Sequence, residues 1–143
     1  MHNRETEILS LDYVKKLNTI SGIVLDSCIE VHKHLGPGLL ESVYELCLIK
    51  ELQSRNIKAE GQVVIPIIYK NEIIDKNFCI DVLVEDEVIV ELKTVEKVLP
   101  IHKAQIMTYL KLSNKKLGLL INFNVPLLKD GFERVLNGQF PKN

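Results

Sequence analysis

Two β-rich arms separated by three acids, FCIDVLVEDEVIVELK from Phe78 to Lys93, constrain this chain more than any other segment. β-Branched residues dominate both arms, which read as strands over Phe78–Val84 and Val88–Lys93 joined by a turn at Glu85-Asp86-Glu87. Strand side chains alternate, so Ile80, Val82, Val84, Val88, Val90 and Leu92 share one apolar face. The other face carries Cys79, Asp81, Leu83, Ile89, Glu91 and Lys93, and its apolar members predict that it too is largely covered.

Across a three-residue turn Val84 pairs with Val88, and Asp81 falls opposite Glu91 with Cβ atoms about 4.5–5.5 Å apart. Two half-buried carboxylates at that spacing repel and need a cation or a shared proton between them. Lys93 supplies one positive charge against two negative ones, which points to a divalent metal site. A surface hairpin whose Asp, Glu and Lys form solvated ion pairs is the competing reading, and the residues alone leave both open.

A chain of 143 residues fits one domain with a core large enough to need no disulfide or metal staple. We read residues 1–143 as that single domain, with 1–10 and 138–143 loose. The composition, 46% hydrophobic and 26% charged, excludes disordered and fibrous classes. A formal net charge of −1 offers no global attraction to nucleic acid, so any basic surface is local, with Lys111, Lys115 and Lys116 the candidates. Cys28, Cys47 and Cys79 lack metal or redox spacing and read as small buried hydrophobes. The start, MHNRETEILSLD, lacks the features of an export signal, and no apolar run approaches the roughly 18 residues of a membrane span. A cytoplasmic protein without membrane contact is expected.

From about Ser10, Leu17, Ile20, Val24, Cys28, Val31 and Leu35 recur at helical spacing until Gly36-Pro37-Gly38 breaks the period. His32 and His34 in the last turn suit the helix dipole better than a metal. A second helix runs from about Leu39 to Arg55 with apolar residues on more than one face, which predicts thorough burial. Glu41 and Glu45 lie near its start, where the dipole alone explains them; the functional alternative points Glu41 at Asp81 and Glu91. Gln62–Tyr69 is a strand in which Pro66 requires an edge or a bulge. After a turn at Lys70-Asn71-Glu72, the three strands form an antiparallel meander. Ile101–Leu112 reads as a helix with Ala104, Met107, Leu110 and Leu112 toward the sheet and Gln105 and Tyr109 on another side. Lys115–Phe123 is a strand buried on both faces and reached through a helix, hence parallel to a neighbour, and Phe132–Leu136 is a further short strand.

This order, ααβββαβ with an extra C-terminal strand and helices flanking a central mixed sheet, is an α/β (α+β) architecture. With an acid on the middle strand and Glu-x-Lys on the next, it resembles the restriction-endonuclease-like core of the PD-(D/E)xK nuclease superfamily. Gly38-Leu39-Leu40-Glu41-Ser42-Val43-Tyr44 matches the GxxExxY signature of one family in that superfamily, and LGPGLLESVYE around it is similar to its members. VELKTVEKVLPIHKAQIMTYLKL and LGLLINFNVPLLKDGFERVLNG extend the resemblance over about residues 17 to 138. Glu-x-Lys alone is a weak signal, whereas the ordered set Glu41, Asp81, Glu91, Lys93, Gln105 and Tyr109 is a strong one. The proline that usually precedes the superfamily's aspartate is replaced here by Ile80.

The resemblance implies that Asp81, Glu91 and the backbone carbonyl of Leu92 ligate Mg²⁺ or Mn²⁺, with Glu41 reaching the same ion directly or through water. It assigns Lys93 to the attacking water and the phosphate, Gln105 to orienting either, and Tyr44, Tyr109 and Gly38 to supporting the site. A metal-dependent nuclease acting on DNA is the function implied. The alternative is a nucleic-acid- or protein-binding module of the same fold with weak or no cleavage, for which a homodimer or a protein partner would supply the grip on duplex DNA.

Overall fold

The computed structural model describes residues 7–141, with 75–77 described by their backbone alone. Helix α1 (Leu11–Leu35) opens on Ser10, whose hydroxyl accepts the N–H of Tyr13, and stops at Gly36, where a φ of 69° suits glycine. Helix α2 spans Glu41–Ser54. Strands β1 (Ala59–Tyr69), β2 (Glu72–Val84) and β3 (Val88–Lys93) follow, then α3 (Pro100–Ser113), β4 (Leu117–Asn122), a 3₁₀ turn and β5 (Phe132–Leu136).

The five strands form one sheet in chain order, β1-β2-β3-β4-β5. β3 and β4, joined through α3, are parallel, and the other neighbours are antiparallel, so the predicted mixed sheet and meander are both present. The prediction for Pro66 holds in both forms. β1 is an edge strand, and its register with β2 shifts between Pro66 and Ile67.

Both faces of the sheet are covered. α1 and α2 pack Leu17, Val24, Cys28, Tyr44, Leu48 and Leu52 against Val82, Val84, Val88, Val90, Leu92, Leu119 and Ile121. α3 packs Ile106, Tyr109 and Leu110 against Ile65, Ile80, Leu83, Ile89 and Leu120. Ile80 therefore sits on the face opposite the one that strict alternation with Val82 and Val84 assigns it, because β2 loses its pairing at the intervening Asp81.

Three packing expectations need correction. The buried stripe of α3 is Ile106, Tyr109 and Leu110, while Ala104 and Leu112 are exposed and Met107 only half-buried. Two apolar stripes overlap in this helix, and Gly118 selects between them: a Cβ there would lie 2.7 Å from Ile106 Cδ1, so the missing side chain admits Ile106 onto β4. α2 buries only Tyr44, Leu48 and Leu52, leaving Leu40 and Leu46 in solvent. Cys28 is buried as expected, but Cys47 is half-buried and Cys79 exposed, since Cys79 lies on β2 beyond the end of its ladder with β3.

The ends read as loose meet each other. Leu9 is buried and its N–H donates to the Gln139 carbonyl at 2.9 Å, while Gln139 N–H donates to the Glu7 carbonyl at 2.7 Å. Residues 1–6, the rest of the N-terminal segment read as loose, lie outside the described residues, as do 142 and 143. None of the described helices is long and apolar enough to cross a membrane.

Candidate functional site

The three-residue turn sets the register of the central hairpin as the sequence predicts: Val84 pairs with Val88, Leu83 with Ile89 and Val82 with Val90. The ladder stops there, one step before Asp81 and Glu91. On its other side β2 pairs Val82 with Gly61 and Ile80 with Val63, skipping Asp81 and Gln62. Asp81 is thus left out of both ladders, which frees its backbone. Its N–H donates to Glu91 Oε2 at 3.3 Å, and its Oδ2 accepts the N–H of Leu92 at 2.8 Å. The two acids stand side by side.

Glu91 is only 6% exposed. Burial, followed by the hydrogen bond and charge of Asp81, pushes its carboxyl up from 4.5 to about 9. The Asp81 N–H and the charge of Lys93 pull the other way without cancelling this. Lys93, half-buried two residues farther along β3, has no ion-pair partner among the described residues. With both carboxyls ionised, one ammonium would leave the pair with a surplus of negative charge, and the raised Glu91 keeps a proton instead.

Tyr109 of α3 stands over this pair. It is 6% exposed, its ring lies 5.2 Å from that of Phe78, and burial followed by the charges of Glu91 and Asp81 raises its phenol. Gln105, one turn earlier, is exposed, and its side chain makes no hydrogen bond among the described residues.

Glu41 comes from the other side of the sheet. It is the first residue of α2, and its Oε2 accepts the N–H of Thr94 at 3.4 Å, at the end of β3. Tyr44 holds the preceding loop: fully buried, it donates its hydroxyl hydrogen to the Gly36 carbonyl at 2.5 Å and accepts the Leu39 N–H at 3.1 Å. Its ring stacks on Phe123 at 4.4 Å. Gly38, at φ 98°, completes the bend. Tyr44 and Gly38 therefore support the placement of Glu41.

Three residues that the sequence reading leaves out of the site take part in its surroundings. Glu45, one turn after Glu41, accepts Gln62 Nε2–H at 2.9 and 3.0 Å, and its carboxyl is raised by burial first and also by Asp81 and Glu41. Its spacing from Glu41 is the signal that could have found it. Asn122, buried at the end of β4, clamps the chain beyond Lys93: its Oδ1 accepts the Val95 N–H and its Nδ2–H donates to the Val95 carbonyl.

Among the described residues no three His, Cys, Asp or Glu side chains are gathered closely enough to hold an ion. The structure brings together the pair Asp81 and Glu91, with Glu41 held on Thr94. An all-oxygen pair that gains surplus negative charge once Glu91 gives up its proton fits a hard divalent cation. His32 belongs elsewhere, its Nε2 bonded to the Val125 carbonyl at 2.9 Å.

A family model described as the PD-(D/E)XK nuclease superfamily matches residues 18–135. Among solved structures, the chain is similar to the crystal structure of SSO0001, at 18% identity over 96% of this chain and 70% of that one, with a TM-score of 0.49. No curated protein matches the sequence.

Proposed function

The chain belongs to the PD-(D/E)XK nuclease superfamily, and from that premise we propose that it is a divalent-metal-dependent nuclease hydrolysing DNA phosphodiester bonds, of the GxxExxY type. The observation that carries this reading is the Asp81–Glu91 pair, two acids on the central hairpin each hydrogen-bonded through its carboxyl to the backbone of the other's strand, with Glu91 buried and pushed up to about 9.

In this reading Asp81, Glu91 and the Leu92 carbonyl hold Mg²⁺ or Mn²⁺, with Glu41 joining directly or through a water. The ion, when bound, lowers the pKa of a water and offsets charge at the phosphate. Lys93, without an ion-pair partner among the described residues, holds the attacking water and neutralises a phosphate oxygen. Gln105, exposed on α3, has donor and acceptor available to orient water or phosphate. Tyr109 shields and supports the acid pair. Purified protein with Mn²⁺ should cut some form of DNA, and Lys93→Ala should abolish cutting with the thermal midpoint retained. Equal cutting by that variant would contradict the assignment.

A second reading keeps the fold and the cation but not the cutting: a nucleic-acid- or protein-binding module. The formal net charge of −1 favours it, since grip on duplex DNA rests largely on phosphate neutralisation. Metal binding with no cleavage across DNA and RNA substrates would decide for it.

A further inference from the structure

Gln62 carries the oddest backbone near the acid pair. Its φ is 52°, in the left-handed region, within a strand whose pairing with β2 is in register on both sides of it. A non-glycine residue rarely adopts this conformation, and inside a strand it interrupts the ladder. The residue it would face is Asp81. The register runs Gly61 to Val82 and Val63 to Ile80, so the skipped partners are Gln62 and Asp81. The side chain of Gln62 is occupied too: Nε2–H reaches both carboxylate oxygens of Glu45, on α2. Gly61 lets the helix come this close, for a Cβ there would lie 2.8 Å from Ile49 Cδ1 and 3.4 Å from Glu45 Oε1.

We infer that Glu45 and Gln62 form a positioning pair that opens the sheet at Asp81. Glu45 holds the amide of Gln62, Gln62 turns out of β1, and Asp81 loses its cross-strand partner. The freed N–H of Asp81 then reaches Glu91 Oε2. An extended residue 62 would close the ladder over Asp81 and pull that N–H away from Glu91. Neither Glu45 nor Gln62 needs to touch metal or substrate. The inference rests on the metal reading of the Asp81–Glu91 pair for its functional consequence, but its structural half stands apart from that reading.

Three variants separate the possibilities. Gln62→Val places a β-branched residue where positive φ is least tolerated and drives the strand to extended geometry. Gln62→Gly accepts positive φ at no steric cost but lacks the amide. Glu45→Ala removes the carboxylate that holds the amide. Two readouts are taken on the full chain: backbone chemical shifts at residues 62 and 81 without metal, and Mn²⁺ affinity by calorimetry. In Gln62→Val and Glu45→Ala the shifts at 62 should become those of an extended strand, and Mn²⁺ binding should weaken by about tenfold or more, with thermal midpoints equal to or above wild type. Gln62→Gly should stay closer to wild type in both. Wild-type Mn²⁺ affinity in Gln62→Val with an extended residue 62, or a left-handed residue 62 persisting in Glu45→Ala, overturns the inference. If the wild-type protein itself takes no Mn²⁺, the metal reading fails, and the shifts at 62 and 81 still decide whether the pair opens the sheet.

Discussion

Asp81 and Glu91 are joined through the backbone: the Asp81 N–H donates to Glu91 Oε2 at 3.3 Å, and the N–H of Leu92, next to Glu91, donates to Asp81 Oδ2 at 2.8 Å. The pair is fixed in place by its own strands before any ligand arrives. Its surplus charge is relieved by a proton on Glu91 or by a cation.

That proton makes stability depend on pH. The Glu91 carboxyl titrates near 4.5 when unfolded and at about 9 when folded, so between these values the folded chain binds the extra proton and its stability falls as pH rises. The contribution is fully present below about 4.5 and lost as pH climbs through about 9. Metal-free protein should show a thermal midpoint that declines across pH 5–9, and Glu91→Gln should flatten this decline. A wild-type profile as flat as that of the variant would contradict the placement of Glu91.

Tyr44 is a structural pin with two backbone partners, so removing its hydroxyl leaves the Gly36 carbonyl and the Leu39 N–H without it. Tyr44→Phe keeps the stack on Phe123 and should destabilise the domain by about 1–3 kcal/mol in denaturant unfolding. Loss below a few tenths of that range would mean water replaces the hydroxyl without penalty.

Gly131 marks another close approach. A Cβ there would lie 2.1 Å from the Asn122 carbonyl oxygen, a backbone atom that cannot rotate away. Gly131→Ala should therefore cost about 1–3 kcal/mol or more and loosen the Asn122 clamp on Val95. Faster amide exchange at Val95 in the variant is the corresponding local signature.

The hairpin register was legible because a short turn between two β-branched arms permits only one pairing of their faces, and Pro66 announced its bulge through its missing N–H. The mixed sheet followed from an apolar strand reached through a helix. The face of α3 was not legible, since Ala104, Met107 and Leu110 compete with Ile106, Tyr109 and Leu110, and the choice is made by Gly118 on another element. Strict alternation likewise misplaced Ile80, because nothing local to β2 reveals that Gln62 turns away from Asp81. Within the candidate site the acids of the hairpin were read from spacing, whereas Glu45 and Asn122 act through partners distant in the chain.

The most direct test of the acid pair as a cation site is calorimetric titration of the metal-free protein with Mn²⁺, side by side with Asp81→Asn. Wild type should bind Mn²⁺ and release a proton as Glu91 ionises, and Asp81→Asn should bind about tenfold more weakly or not at all. Absence of binding to the wild type, or equal binding by the variant, would contradict it.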